Sequence, residues 1–229
     1  MNDVRKMVLL AFAAAVALLP CFQNRALAQY QQPVIAPSDT LAGVHYDYKW
    51  EIYGGLAYSH FNAGPQLVQG SNLGGFDIQA ARFFRKRWAL AANARGYYGT
   101  SGVDPNPYGI KGPFVSEHMF LAGPEYRGPS NEHVSMTFHA LFGGAYGSFE
   151  SALQDQSGAT VPPSALGLFS NQFAFGSAIG GSIDLNRSPR WVFRISPDAT
   201  LTDFGSAGIH EQFALSVGVV YRLHHGLTR

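Results

Sequence analysis

Large apolar residues alternate with small, polar or charged residues along about eight stretches of the chain between Trp50 and Leu223. In the last stretch, the odd-numbered positions 213 to 221 all carry large apolar side chains, and most even-numbered positions carry small or polar ones. A period of two predicts an extended strand with one apolar face and one polar face.

The strands predicted from this alternation are 50–61, 73–84, 87–98, 115–126, 133–149, 171–185, 191–202 and 210–223. Most have close to the roughly 9 to 11 residues with which a tilted strand crosses a bilayer. The connections are alternately short and long, which is the expected asymmetry of periplasmic turns and extracellular loops in a bacterial outer-membrane barrel. We therefore predict an all-β fold, an eight-stranded antiparallel up-and-down transmembrane β-barrel over residues 50–223, with both termini in the periplasm.

Pairing between the second and third strands tests this prediction within the sequence. If the chain turns at Arg85 and Lys86, Asp77 meets Arg95 on the inner face, and the outward residues also find apolar partners. One register then satisfies both faces. Near the middle of the seventh strand, Pro197 predicts a β-bulge, because proline cannot donate a hydrogen bond to the ladder.

Aromatic residues of the outward parity collect at both ends of the predicted strands. This banding predicts two girdles at the two membrane interfaces, and a soluble barrel with an apolar interior does not require it. The girdle residues are Trp50, Phe84, Trp88, Trp191 and Tyr221 at the periplasmic ends, and Tyr58, Tyr98, Tyr146, Phe173 and Phe213 at the extracellular ends.

Residues 1–28 have the pattern of a signal peptide, with Arg5 and Lys6, an apolar run and a closing Ala-Leu-Ala. The run is shorter than the roughly 20 apolar residues of a spanning helix, so we expect cleavage rather than a membrane anchor. Cleavage removes the one cysteine and changes the formal charge from +1 to −1, because residues 1–28 hold three cations and one anion. A nearly neutral chain lacks the basic surface that binding to nucleic acid needs. We expect residues 29–49 to be a flexible periplasmic lead-in and residues 224–229 to be a C-terminal tail.

Three short segments resemble a known family: GFDIQ at 75–79, GPEYR at 123–127 and VVYRL at 219–223. They are typical of the small outer-membrane β-barrel proteins, similar to the transmembrane half of outer membrane protein A. The resemblance implies an eight-stranded barrel in the outer membrane of a Gram-negative-type bacterium. The chain departs from this pattern in two ways. We identify no C-terminal peptidoglycan-binding domain, and residues continue past the last strand, whereas the family's assembly signal usually ends on an aromatic residue.

Charged residues also take the inward parity of the predicted barrel. They are Glu51, Asp77, Arg95, Asp184, Arg194, Asp198 and Arg222. An eight-stranded barrel is only wide enough inside for side chains to fill, so these charges must be paired or hydrated. We expect a structural network in which Glu51 meets Arg222 across the seam between the first and last strands. His118 and His139 are predicted to face each other in the lumen, bonded to neighbours and water, since two ligands are too few for a metal site.

Candidate chemistry is sparse. Ser116 and His118 share a strand face, but Glu117 points to the other side and cannot orient the histidine. We predict a non-enzymatic outer-membrane barrel with a structural or surface-interaction role, without catalytic residues, cofactor or metal. The expected partners are outer-membrane lipid and an external partner bound through loop 150–170, and we expect a monomer. The alternatives are a narrow solute pore and an outer-membrane enzyme that modifies lipid.

Overall fold

The computed structural model describes residues 44–223, apart from residues 66, 68, 69, 152, 206 and 207. The predicted signal peptide, residues 29–43 of the predicted lead-in and the predicted tail 224–229 lie outside the described residues. Within the described part of the chain, no helix is long and apolar enough to cross a membrane.

Eight antiparallel strands form a closed barrel. The strands are β1 (Trp50–Phe61), β2 (Ser71–Phe83), β3 (Trp88–Thr100), β4 (Phe114–Ser130), β5 (Val134–Ser151), β6 (Gln172–Asn186), β7 (Trp191–Thr202) and β8 (His210–Leu223). Each strand pairs with its sequence neighbours, and β1 also pairs with β8. The predicted fold class is therefore confirmed. The bounds of β1, β7 and β8 are those predicted, whereas β4 and β5 extend to 17 and 18 residues.

The barrel wall turns its apolar side chains outward and its polar side chains inward. Leu56 and Phe120 are 79% and 69% exposed on the outer face, whereas Asp77 and Arg95 are 2% exposed on the inner face. A soluble barrel has the opposite distribution, with an apolar interior. The observed distribution is that of a barrel surrounded by lipid.

The two ends of the barrel differ in the length of their connections. Residues 84–87, 131–133 and 187–190 form short turns at the end where β1 begins and β8 ends, which we call the turn end. Residues 62–70, 101–113, 152–171 and 203–209 join the strands at the opposite end, which we call the loop end. The longest loop contains a 3-10 helix at Pro163–Leu166.

Strand register follows the prediction in one hairpin and departs from it in another. Asp77 pairs with Arg95, as predicted for β2 and β3. The predicted pairing of His118 with His139 is wrong, because His118 pairs with Tyr146 in the ladder between β4 and β5. The physical reason is that β4 continues to residue 130, so the chain turns at 131–133 rather than around 127–132.

The bulge predicted at Pro197 does not form, because the pairs of β6 and β7 on either side of it keep one offset. The Ser196 hydroxyl donates a hydrogen bond of 3.3 Å to the carbonyl oxygen of Gly181. A side-chain donor therefore lies beside the position at which proline has no backbone N–H to offer.

Candidate functional site

The lumen is the candidate site, because charged side chains from seven of the eight strands meet there, and β5 contributes His139. Among the described residues, six carboxylates and four arginines of the inner face are each at most 3% exposed. The carboxylates belong to Glu51, Asp77, Glu117, Glu125, Asp184 and Asp198, and the arginines are Arg95, Arg127, Arg194 and Arg222. Charges buried this deeply are tolerated only where they are paired or hydrogen-bonded.

Glu51 of β1 contacts three of these arginines near the turn end. Its Oε1 is 2.6 Å from Nη2 of Arg127 and 3.0 Å from Nε of Arg222, and its Oε2 is 3.1 Å from Nη2 of Arg194. The pair predicted between Glu51 and Arg222 is confirmed, and it lies in the ladder where β1 meets β8. One carboxylate thus ties the first strand to β4, β7 and β8.

Asp184 of β6 completes this group. Arg194 binds Asp184 through two nitrogens, with Nε 2.7 Å from Oδ1 and Nη2 2.8 Å from Oδ2. Such two-point contact is the strong form of an arginine–carboxylate pair. Arg222 lies 3.8 Å from the same carboxylate and donates to Oδ1 of Asn186 at 2.9 Å. We call Glu51, Arg127, Asp184, Arg194 and Arg222 the turn-end charge cluster.

Arg95 of β3 organises a second group near mid-barrel. Its Nη1 is 2.6 Å from Oδ2 of Asp198, and its Nε is 3.7 Å from Oδ1 of Asp77. The Asp198 carboxylate also lies 2.9 Å from Nε2 of His139. Asn93 accepts a hydrogen bond from Arg95 at 2.7 Å and donates one to Asp77 at 2.6 Å. The seven charged residues predicted for the lumen all lie in these two groups.

Sequence reasoning missed three charged lumen residues of β4: Glu117, Glu125 and Arg127. Glu125 accepts a hydrogen bond of 2.6 Å from Gln79, and Glu117 accepts one of 3.4 Å from Gln212. The second oxygen of each glutamate has no hydrogen-bond donor among the described residues. The sequence does contain a signal for these residues. All three have odd numbers and so share one face of the strand, and three charges on one face favour the lumen.

His118, which was predicted to face the lumen, lies on the outer face of β4. Its Nε2 is 2.8 Å from the hydroxyl of Tyr98. The physical reason for the wrong prediction is that apolar residues occupy both faces of β4, so the alternation does not decide which face is inside. Ser116 shares the outward parity with His118, whereas Glu117 is fully buried in the lumen, so these three residues do not form a triad.

The histidine pair considered for a metal is therefore separated by the barrel wall, with His139 inside and His118 outside. In the ranges that the structure describes, no group of three or more histidine, cysteine, aspartate or glutamate side chains could hold a metal ion.

An aromatic plug fills the loop end of the lumen. It consists of Phe61, Phe149, Phe169 and Phe204, each at most 5% exposed. The ring centroid of Phe149 lies 5.9 Å from that of Phe61, 5.6 Å from that of Phe169 and 5.5 Å from that of Phe204. Apolar side chains of loop 152–171 pack into the same cluster, including Leu153. The long loop thus folds back over the barrel and contributes to closing its mouth.

The residues before β1 pack against the turn-end charge cluster. The ring of Tyr46 lies 5.1 Å from the guanidinium carbon of Arg127 and 5.0 Å from that of Arg222. The ring of Tyr48 lies 5.5 Å from Arg222. These are favourable cation–π distances. The lead-in predicted to be flexible is therefore packed against the barrel at residues 46 and 48.

All ten aromatic residues predicted for the girdles carry their rings on the outer side of the barrel. Trp191 packs against Tyr221 at the turn end, with ring centroids 4.6 Å apart. Tyr146 packs against Phe173 at the loop end, at the same distance. The outer face thus has an aromatic band at each end, separated by aliphatic residues and phenylalanines.

The described loop residues form a surface at the loop end, beside the plug. A cleft of about 270 Å³ opens between loops 101–113 and 152–171, and Leu67 lines it together with residues 104–107 and 165–167. Asp155 accepts hydrogen bonds from the hydroxyl of Ser157 at 2.6 Å and from the backbone N–H of Ala159 at 2.9 Å. These bonds hold the pKa of Asp155 below its ordinary value.

Solved structures of small outer-membrane barrels share this architecture. Ail, the attachment invasion locus protein of Yersinia pestis, matches with a TM-score of 0.50 and 20% identity over 77% of this chain and 99% of that one. Neisserial surface protein A matches with a TM-score of 0.55 and 10% identity over 76% of this chain and 97% of that one. No family model and no curated protein sequence matches the chain. The resemblance to small outer-membrane barrels is therefore confirmed at the level of the fold.

Proposed function

We propose that this chain is a non-enzymatic outer-membrane barrel that conducts no solute and acts structurally or through its loop-end surface. The turn end faces the periplasm, and the loop end faces the outside of the cell. The observation that carries this proposal is the lumen, which charged side chains fill and an aromatic plug covers.

The filled lumen favours a closed barrel over a narrow pore. A solute that crossed it would have to separate contacts such as the 2.6 Å pair between Arg95 and Asp198. Leaving one charge of a buried pair without its partner costs about 3–5 kcal/mol. The solute would then meet Phe149, which is fully buried among the other plug rings. Both barriers lie on the same path, so passive flow is disfavoured.

The loop end is the favoured contact surface because it combines a cleft with negative charge. The loops contain Asp104, Asp155 and Asp203 but one lysine, Lys111. Asp104 lies at the cleft next to apolar residues. This composition favours an external partner that brings positive charge and an apolar side chain to the cleft. Glu117, the acidic residue between Ser116 and His118 in the chain, is buried in the lumen, so it cannot orient His118 for lipid-modifying chemistry.

Planar-bilayer recording tests whether the barrel conducts. The full chain is folded in detergent, shown to be folded by a change of gel mobility on boiling, and added to the bilayer. We expect no discrete current steps, whereas a channel-forming porin in the same bilayer provides the positive control. Reproducible steps from the folded protein would contradict the proposal and support the pore.

Labelling of intact cells tests which end faces outward. Ala159 and Arg187 are both exposed, the first in the longest loop and the second in a turn. An impermeant thiol reagent should label Ala159→Cys on intact cells and Arg187→Cys only after the outer membrane is permeabilised. Labelling of Arg187→Cys on intact cells would reverse the orientation.

A further inference from the structure

Positive charge is unevenly distributed between the two ends of the barrel. The four loops contain one cation, Lys111. Seven cations are exposed around the turn end: Lys49, Arg82, Arg85, Lys86, Arg87, Arg187 and Arg190. Four of these seven lie at the end of β2 and in the turn that follows it. We call Arg82, Arg85, Lys86 and Arg87 the basic turn.

No carboxylate of the described residues forms an ion pair with the basic turn. Within the residues that the structure describes, the ion pairs connect lumen residues with one another or join Glu132 to His133, and none includes a residue of the basic turn. Four neighbouring cations without a carboxylate repel one another unless an external anion lies between them.

Aromatic contacts hold the basic turn at a defined depth. Arg82 projects from the outer face of β2, and its guanidinium carbon lies 5.5 Å from the ring centroid of Trp50. Arg87 donates to the hydroxyl of Tyr126 at 3.4 Å, and the Tyr126 ring packs against Trp88 at 5.0 Å. Outward tryptophan and tyrosine rings of a membrane protein lie at the level of the lipid headgroups. The cations are therefore placed at the depth of lipid phosphates.

We propose that the basic turn binds the headgroup of an anionic phospholipid such as phosphatidylglycerol, in the leaflet that surrounds the turn end. This inference rests on the proposed placement of the barrel in a membrane. Guanidinium groups match phosphate oxygens with paired donors, and basic residues beside a membrane surface attract anionic lipid.

Arg82 distinguishes binding of a lipid from binding of a cell-wall polyanion. Its side chain leaves the outer wall of the barrel beside Trp50, where the bilayer surrounds the protein. An anionic cell-wall polymer such as peptidoglycan would contact the tip of the turn, at Arg85, Lys86 and Arg87. A phospholipid in the surrounding leaflet reaches all four cations and the neighbouring rings.

Quenching by brominated phospholipids provides the test, because Trp50 and Trp88 flank the basic turn. The full chain carrying Trp191→Phe is folded into phosphatidylcholine vesicles, and quenching by brominated phosphatidylglycerol is compared with quenching by brominated phosphatidylcholine. We expect a relative association constant of about 2 to 5 in favour of phosphatidylglycerol.

Three variants, each made in the Trp191→Phe protein, test whether the lipid preference depends on the basic turn. Replacing Arg82, Arg85 and Arg87 together by glutamine should lower the relative association constant to about 1, and replacing them by lysine should preserve the preference. The control, Arg187→Gln with Arg190→Gln, removes two cations of the turn between β6 and β7, outside the basic turn, and should leave the preference unchanged. A change of gel mobility on boiling shows that each variant is folded.

Three results would overturn the proposal: no preference in the starting protein, a preference that survives the glutamine variant, or a preference lost equally in the control. Sedimentation of detergent-solubilised protein with isolated peptidoglycan that depends on the same arginines, without any lipid preference, would assign the basic turn to a cell-wall polyanion instead. This test measures neither conductance nor orientation in the cell, because no current is recorded and the vesicles have the same lipids in both leaflets. A negative result here therefore leaves the proposed function standing, and a negative result there leaves the lipid preference standing.

Discussion

Replacing Glu51 by glutamine removes the carboxylate that three arginines share and keeps nearly the same shape. Glutamine still offers one oxygen to Arg127, Arg194 and Arg222, but it carries no charge. The arginines differ in what they retain. Arg194 keeps its two contacts of 2.7 and 2.8 Å with Asp184, and Arg222 keeps its bond to a neighbouring asparagine.

Arg127 loses the most, because no other carboxylate among the described residues lies within 4 Å of it. It keeps two backbone carbonyl acceptors, at 3.4 Å from Tyr46 and 3.2 Å from Lys86. Leaving a buried charge unpaired costs about 3–5 kcal/mol, and we expect Glu51→Gln to lower the free energy of unfolding by this amount. Adding Arg127→Met removes the unpaired cation. The double variant should therefore lose less stability than the two single variants lose together, by about 0.5–3 kcal/mol.

Urea titrations in phospholipid vesicles, followed by tryptophan fluorescence and gel mobility, measure these differences. Glu132→Gln is the matched control, because the same change there affects an exposed contact of 3.6 Å with His133. The control should change stability by at most about 1 kcal/mol. If Glu51→Gln costs no more than Glu132→Gln, or if its effect simply adds to that of Arg127→Met, the turn-end charge cluster does not hold the barrel together.

Two further predictions concern the wall and the longest loop. Ile78→Arg should cost about 2–4 kcal/mol in the same titration because Ile78 faces lipid, whereas Gln79→Arg should cost less because it enters the lumen beside Glu125; equal costs would contradict the assignment of faces. Because hydrogen bonds depress the pKa of Asp155, its stabilisation of the turn at 155–159 is complete above the ordinary value of 3.8 and is lost as pH falls through the lower folded value. A fall in the protection factor of the Ala159 amide on acidification, relative to its intrinsic exchange rate and absent in Asp155→Asn, would show this loss, and identical profiles would refute it.

The parts of the fold that the sequence predicts correctly are those in which alternation and charge agree. In β2 and β3, Asp77 and Arg95 share a face and the opposite face is apolar, so one register satisfies both. The pairing of β1 with β8 follows from closure of the barrel, and the opposite charges of Glu51 and Arg222 identify where the strands meet.

The sequence fails where both faces of a strand are apolar or where contacts are remote. In β4, Met119 and Leu121 face the lumen while Phe120 faces lipid, so a period of two does not select the inner face. The charges of Glu117 and Glu125 identify the inner face of this strand better than the apolar alternation does. The aromatic plug is also beyond pattern reasoning, because it joins strand ends to irregular loops that have no period.

The contact between Glu51 and Arg222 joins residues 171 positions apart and has a consequence for how the barrel is made. The arginines that neutralise Glu51 belong to the fourth, seventh and eighth strands, so the first strand cannot complete its contacts until the last one arrives. A chain that stops before β8 would keep two open sheet edges and a carboxylate short of one partner, and open edges invite pairing with other chains. Contacts this distant also make closure slow. A chain whose barrel is still open therefore depends on protection against aggregation, and assembly must reach its last strand before the first becomes stable.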